Sequence, residues 1–192
     1  EAWSKAAKFL SATQRNDGSF AYDPYEGQPS TGSMTVDGVG TALVTELMLY
    51  GPEEKTTPPP KRRFGVLDQL ADRNSKDVRS PRKSPGEVVV SRDLIQKMLP
   101  GARAATGRLF DNGLKGPNPA YFLYGCERAG AISGEDKFGD ILWYQRGAEY
   151  FVERQESNGS WEVAGGYSPV VKTAFAVLFL SPQEALIRVN VA

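Results

Sequence analysis

The residues from Arg146 to Trp161 read RGAEYFVERQESNGSW, and a shorter version of the same pattern, FLSATQRNDGSF, runs from Phe9 to Phe20. Each copy contains an aromatic–apolar pair followed, at fixed spacings, by a glutamine, a glycine and an aromatic residue. Adjacent aromatic and apolar residues pack inward from a helix, and glycine tolerates the positive φ that follows a helix end. Each copy therefore predicts a helix, a tight turn and a second helix.

The glutamine of each copy is predicted to fasten its turn. It lies on the last helical turn, where its side chain can hydrogen-bond backbone groups of the turn or of the adjoining helix. The aromatic residue after the glycine is predicted to cover that bond and shield it from water. We call these sets the first staple (Gln14, Gly18 and Phe20) and the second staple (Gln155, Gly159 and Trp161).

The two staples resemble the QW motif of the squalene-cyclase and protein-prenyltransferase superfamily. The segment 121–130, which reads YFLYGCERAG, and the later Trp143-Tyr144 look like bacterial squalene-cyclase-like repeat proteins of unassigned activity. The resemblance covers about 1–51 and 92–181. It implies an all-α fold, an α/α-toroid-like array of helical hairpins that forms an incomplete ring.

Hydrophobic periodicity predicts one domain over 1–192, built from hairpins at about 1–51, 92–131 and 141–181. The turn glycines Gly18, Gly113 and Gly159 follow a repeat of about 47 residues with one unit missing, which is typical of stacked helical units. In the middle unit Leu109 and Lys115 stand where the staple residues would be, so no staple is expected there.

The sequence also predicts an interruption in one helix and the burial of another. Pro100-Gly101 interrupts the first arm of the second hairpin and is expected to kink or split it. Residues 169–180 are apolar nearly all round, which predicts an inner-wall helix buried on most sides.

The missing repeat falls in a Pro-rich and basic stretch at about 53–91. Its composition predicts a mobile insertion with one short helix near 64–73. The stretch holds a basic set, which is either a solvated loop or a docking site for an anionic partner. The set comprises Lys61, Arg62, Arg63, Arg79, Arg82 and Lys83.

Composition narrows the classes of partner. Lysine plus arginine and aspartate plus glutamate both number 23, and this neutrality argues against non-specific nucleic-acid binding. No apolar run approaches the length of a transmembrane segment. The single cysteine allows no internal disulfide. The start at Glu1 suggests a processed or excised chain, and the sequence indicates no cellular location.

The reactions that the resemblance implies lack their residues here. Squalene-hopene-type cyclases use a D-x-D-D acid, and protein prenyltransferases hold zinc with Asp, Cys and His, but this chain has neither D-x-D-D nor D-x-C and contains no histidine. D-D-x-x-D is also missing. Gly125-Cys126-Glu127-Arg128 departs from the G-C-G-E-Q thioester motif, so Cys126 is expected to be a buried small apolar residue. We therefore expect no metal and no cofactor.

Candidate ligand-binding residues come from the predicted inner helices: Asp37, Tyr121, Tyr124, Glu127 and Lys172. Asp37 either faces the cavity as an acid or interacts with the helix dipole. Glu127 pairs with Arg128 at a helix end or binds ligand, and Lys172 with Thr173 points at the lumen or pairs with a neighbouring helix end. Further side chains form a polar–aromatic rim or pack at the surface. They are Tyr22, Asp23, Tyr25 and Asp111, and Tyr121 and Tyr124 would belong to the same rim, which would suit a sugar or lipid headgroup.

The sequence thus predicts a cyclase-like repeat domain without established cyclase or zinc-prenyltransferase chemistry. Its partner would be an apolar or amphipathic small molecule, or a protein such as another domain of a longer chain, on the concave inner face. Two alternatives remain: a terpenoid cyclase-like or polysaccharide-acting enzyme that uses carboxylates alone, and a purely structural domain.

Overall fold

The computed structural model describes residues 1–25, 27–51 and 90–181. Seven helices and one small antiparallel sheet occur in this part of the chain, so the all-α prediction is confirmed. The helices are α1 (Ala2–Thr13), α2 (Gly32–Tyr50), α3 (Arg92–Arg108), α4 (Phe110–Lys115), α5 (Pro119–Ser133), α6 (Trp143–Val152) and α7 (Pro169–Leu180). The strands are β1 (Lys137–Phe138) and β2 (Ile141–Leu142). The insertion predicted at 53–91 lies almost entirely outside the described residues.

Local signals set the helix ends. The Thr31 hydroxyl accepts a hydrogen bond from the Met34 amide at 3.2 Å and caps the start of α2. Helices α5 and α7 each begin with a proline, which lacks the amide proton that a first turn leaves unpaired. Gly51 and Gly134 end α2 and α5 with positive φ.

Helix α5 lies between α2 and α7 and packs against both. Gly125 permits the α2 contact, because a Cβ atom there would stand 2.8 Å from Cγ1 of Val36. Helices α1 and α3 pack against α2 and against each other, whereas α6 packs against α5 and α7. The buried core runs through all of these contacts.

Helix α3 continues through Pro100, so of the two predicted outcomes the split is wrong, and the kink stays a prediction. Proline removes one helical hydrogen bond, but Met98, Leu99 and Ala102 on either side are buried and hold both halves in place. The unstapled middle repeat forms α4, and Gly113 is helical there rather than at a turn.

The expectation that α7 is buried on most sides is also wrong. Lys172, Ala176 and Phe179 are buried against the rest of the fold, but Val170 is 78% exposed and Val177 is 48% exposed. The physical reason is position, since α7 packs chiefly against α5 and α6 and its remaining face is exposed.

Candidate functional site

A hydrogen-bonded acid–phenol pair joins α2 to α5. The Tyr121 hydroxyl donates to Oδ2 of Asp37 at 2.9 Å. Asp37 lies in the second turn of α2, beyond the reach of the first-turn amides, so it does not serve the helix end. A Cβ at Gly125 would stand 3.4 Å from Oδ1 of Asp37, so the glycine keeps the carboxylate and α5 close together.

Burial raises the pKa of both members of this pair. It raises the pKa of Asp37 above its usual value, and the hydrogen bond from Tyr121 opposes that change. Burial, together with the charge of Asp37 and the hydrogen bond to it, raises the pKa of Tyr121 to about 12. Tyr121 therefore remains a donor at any physiological pH, and Asp37 holds its proton to a higher pH than an exposed aspartate does.

Three tyrosine rings surround Phe175 beside this pair. We call the four rings together the inner aromatic cluster: Tyr121, Tyr124, Tyr167 and Phe175. Phe175 stands 5.9 Å from Tyr121, 5.2 Å from Tyr124 and 5.8 Å from Tyr167, measured between ring centroids. These are favourable edge-to-face or tilted separations. Tyr167 is 41% exposed. The cluster is thus an apolar surface, partly open to solvent, with a polar pair at its edge.

Glu127 and Lys172 are placed differently from the prediction. Glu127 is 2% exposed and lies in the interior of α5, and no ion pair joins it to Arg128 among the described residues, so the helix-end ion pair is wrong. Burial raises the pKa of Glu127, and the charge of Arg128 opposes this. Lys172 is 8% exposed. Within the described ranges, neither side chain forms a hydrogen bond or ion pair with Asp37. Cys126 is buried, as predicted.

Among the described residues, no hydrogen bond, ion pair or ring contact joins Asp111 to the rim residues Tyr22, Asp23 and Tyr25. Asp23 accepts a hydrogen bond from the Tyr25 amide at 2.8 Å within its own loop, and Tyr25 is 82% exposed. Asp111 forms an ion pair with Arg146 of α6 at 3.3 Å. Tyr22, which is 58% exposed, is the rim residue that contributes electrostatically to the raised pKa of Tyr121.

Both staples close their own turns, which confirms that prediction. The side-chain amide of Gln14 donates to the Gly18 carbonyl at 3.1 Å, and that of Gln155 donates to the Gly159 carbonyl at 3.2 Å. The shielding prediction fails for Gln155, which is exposed although Trp161 is buried. The Trp161 indole instead donates to the Phe151 carbonyl at 2.8 Å.

Sequence reasoning missed a fourth member of each staple. The Phe20 amide donates to the hydroxyl of Thr35 at 3.1 Å, and the Trp161 amide donates to that of Thr173, also at 3.1 Å. The available signal was a threonine early in the helix after each turn. Thr173 is therefore a structural partner of the second staple.

The described ranges hold no cluster of three or more His, Cys, Asp or Glu side chains suited to a metal ion. Among the helices described, none is long and apolar enough to cross a bilayer. No family model matches the sequence, and no curated protein or solved structure matches it either.

Proposed function

We propose that the chain is a squalene-cyclase-like repeat domain, an α/α-toroid-like array, that binds an amphipathic small molecule at the inner aromatic cluster. The two staples support the family proposal, because both form the same turn between paired helices. A shared turn supports a proposal about the fold alone. The proposed function therefore has to be argued from the side chains of the site.

The observation that carries the ligand proposal is that the Asp37–Tyr121 pair lies beside three further aromatic rings, those of Tyr124, Tyr167 and Phe175. An apolar surface with a few convergent polar groups is the usual composition of a ligand site. The rings would contact the apolar part of the ligand. The polar pair would hold a hydroxyl or amide group, since Asp37 accepts hydrogen bonds.

No observation favours the carboxylate-only enzyme. Glycosidase-type chemistry needs two carboxylates on either side of the scissile bond. The influences on Asp37 are burial and Tyr121, and no second carboxylate of the described residues acts on it. Binding therefore accounts for the site with fewer assumptions than catalysis.

A thermal-shift panel of prenyl alcohols, fatty acids, lysolipids and short oligosaccharides tests the proposal. We expect at least one amphipathic compound to raise the melting temperature, because a ligand that binds the folded state stabilises it. Tyr124→Ala should abolish that shift. The matched control is Phe9→Ala, which removes an exposed ring from α1. Stabilisation by none of the amphiphiles, or equal loss in both variants, would refute the proposed site.

The same samples test for turnover. The chain is incubated with squalene, and separately with a prenyl diphosphate and a thiol peptide, with and without added zinc. We expect no product. Conversion of squalene that disappears in Asp37→Asn would replace the binding proposal with an enzyme.

A further inference from the structure

The first hairpin and α3 form a closed joint around the first staple. The Gln14 amide donates a second hydrogen bond to the Met98 carbonyl of α3, at 3.0 Å. A Cβ at Gly18 would stand 2.2 Å from the Gly101 carbonyl oxygen, so the two backbones touch. Val39 of α2 is fully buried in the hydrophobic core.

The second staple has the same turn without that covering. A Cβ at Gly159 would meet nothing within 4 Å, and Gln155 is exposed. Aligning Thr35 with Thr173 pairs Val39, which is fully buried, with Val177, which is 48% exposed. The same alignment pairs Gly32 with Val170. We call this surface the tail: Gln155, Gly159, Val170, Val177 and Leu178.

The opposite end of the chain exposes the other half of the joint. Aligning the last residues of α1 and α3, Thr13 and Arg108, pairs Met98 with Trp3 and Gly101 with Ala6. Met98 is 5% exposed, whereas Trp3 is 38% exposed. Ala6 is small and partly exposed, as Gly101 is. We call Trp3 and Ala6 the head.

Charge is complementary between the two ends. A groove of about 550 Å³ runs beside the second staple, and its charged lining residues are Glu153, Arg154, Glu156 and Glu162. Helix α1 carries Lys5 and Lys8 and no acidic residue. Lys5 is held by an exposed i,i+4 contact with Glu1, and such contacts are weak and readily exchanged. The groove beside the tail is therefore mainly acidic, whereas helix α1, which carries the head, is basic.

We propose that the head of one copy of this chain docks on the tail of a second copy. Helix α1 of the incoming copy would lie where α3 lies on the first staple. Its Trp3 carbonyl would accept the hydrogen bond from Gln155, and its Ala6 would rest on Gly159. The contact is heterologous, so repetition gives a ring or an open chain of copies. It does not depend on the ligand proposal.

Light scattering after size exclusion, over about a hundredfold range of protein concentration, tests the contact. The wild-type chain should increase in mass as concentration rises. Trp3→Glu destroys the head and Val177→Glu destroys the tail, and each variant alone should remain monomeric. An equimolar mixture should form a dimer, because one variant keeps an intact tail and the other an intact head. Leu142→Glu, at another exposed apolar side chain, should associate like wild type.

Recovery in the mixture also shows that both variants are folded. The more exposed Val170→Glu replaces Val177→Glu if the latter loses its helical circular dichroism. A wild-type chain that is monomeric at every concentration would overturn the proposal and assign the tail to a different polypeptide. So would association that survives both single variants, or a mixture that stays monomeric.

Discussion

The two staples form turns of the same geometry, but the residues that surround the two turns differ. Gly18 and Gly159 have φ of 85° and 86°, and in both turns the glutamine amide donates to the glycine carbonyl. The following aromatic amide donates to a threonine at 3.1 Å in both. Yet the first staple is covered by α3, whereas the second faces solvent. The turn is therefore set by local sequence, and its contribution to stability is set by what packs on it.

The short-range hydrogen bonds within the two turns also match each other. Asp17 accepts a hydrogen bond from the Ser19 amide at 3.0 Å, and Asn158 accepts one from the Ser160 amide at 2.9 Å. Such short-range bonds from Asp and Asn are typical of turns. Since they do not depend on α3, the second turn forms without a covering helix.

The largest expected difference comes from alanine at the two glycines. Gly159→Ala should cost about 1–2 kcal/mol, the penalty for a Cβ at positive φ. Gly18→Ala carries the same penalty and also drives the Cβ into the Gly101 backbone, so it should cost about 3 kcal/mol or more. Urea melts of both variants measure the difference. Equal losses would show that the first staple is not held against α3.

Removing the threonine hydroxyls should have the next largest effect. Thr35 is fully buried, so Thr35→Val leaves the Phe20 amide unpaired and should cost about 1–3 kcal/mol. Thr173 is partly exposed, and water can replace its hydroxyl, so Thr173→Val should cost less than about 1 kcal/mol. The free energies of unfolding from the same melts decide between these values. A larger loss of stability in Thr173→Val than in Thr35→Val would contradict the view that the first staple is covered and the second is open to solvent.

The glutamines should show a smaller contrast. Gln14→Ala removes two hydrogen bonds from a partly buried site and should cost about 1–2 kcal/mol. Gln155→Ala removes one exposed bond and should change stability by about 0.5 kcal/mol or less. The conservative controls are Gln14→Glu and Gln155→Glu, which keep the length of the side chain but remove the amide donor. If Gln14→Glu were as stable as wild type, the Met98 contact would not contribute.

The smallest effect concerns Asp37, the acid of α2 that is hydrogen-bonded to Tyr121. Aligning Thr35 with Thr173 pairs Asp37 with Phe175, so the open end has no counterpart of the acid. Because burial raises the pKa of Asp37 in the folded state, the native protein binds more protons there than the unfolded chain does. Stability should therefore fall as pH rises from the ordinary pKa of 3.8 through the raised value.

Asp37→Asn should flatten that part of the pH profile, since asparagine does not titrate but still accepts a bond from Tyr121. Urea melts at several pH values between the acid range and neutrality measure it. Parallel profiles for wild type and Asp37→Asn would contradict the burial of the carboxyl.

Periodic patterns predicted the helices, the closed turns and the buried Cys126, because these depend on nearest neighbours along the chain. The sequence did not predict the exposed stripe of α7, because Val170 and Val177 look like core residues whether or not a neighbour covers them. Nor did it predict the continuity of α3 through Pro100, which depends on tertiary burial of Met98 and Leu99. The Asp37–Tyr121 hydrogen bond forms where α2 and α5, which are far apart in the sequence, pack together at Gly125. No local sequence pattern encodes that packing.

Native-state hydrogen exchange at the Phe20 and Trp161 amides tests the central claim most directly. These amides donate to threonine at the same distance, so the hydrogen bond itself does not distinguish them. We predict that the Phe20 amide exchanges through global unfolding, while the Trp161 amide exchanges through local opening at a lower free energy. Equal protection of the two amides, or stronger protection at Trp161, would contradict the view that one turn is closed by its neighbour and the other is open.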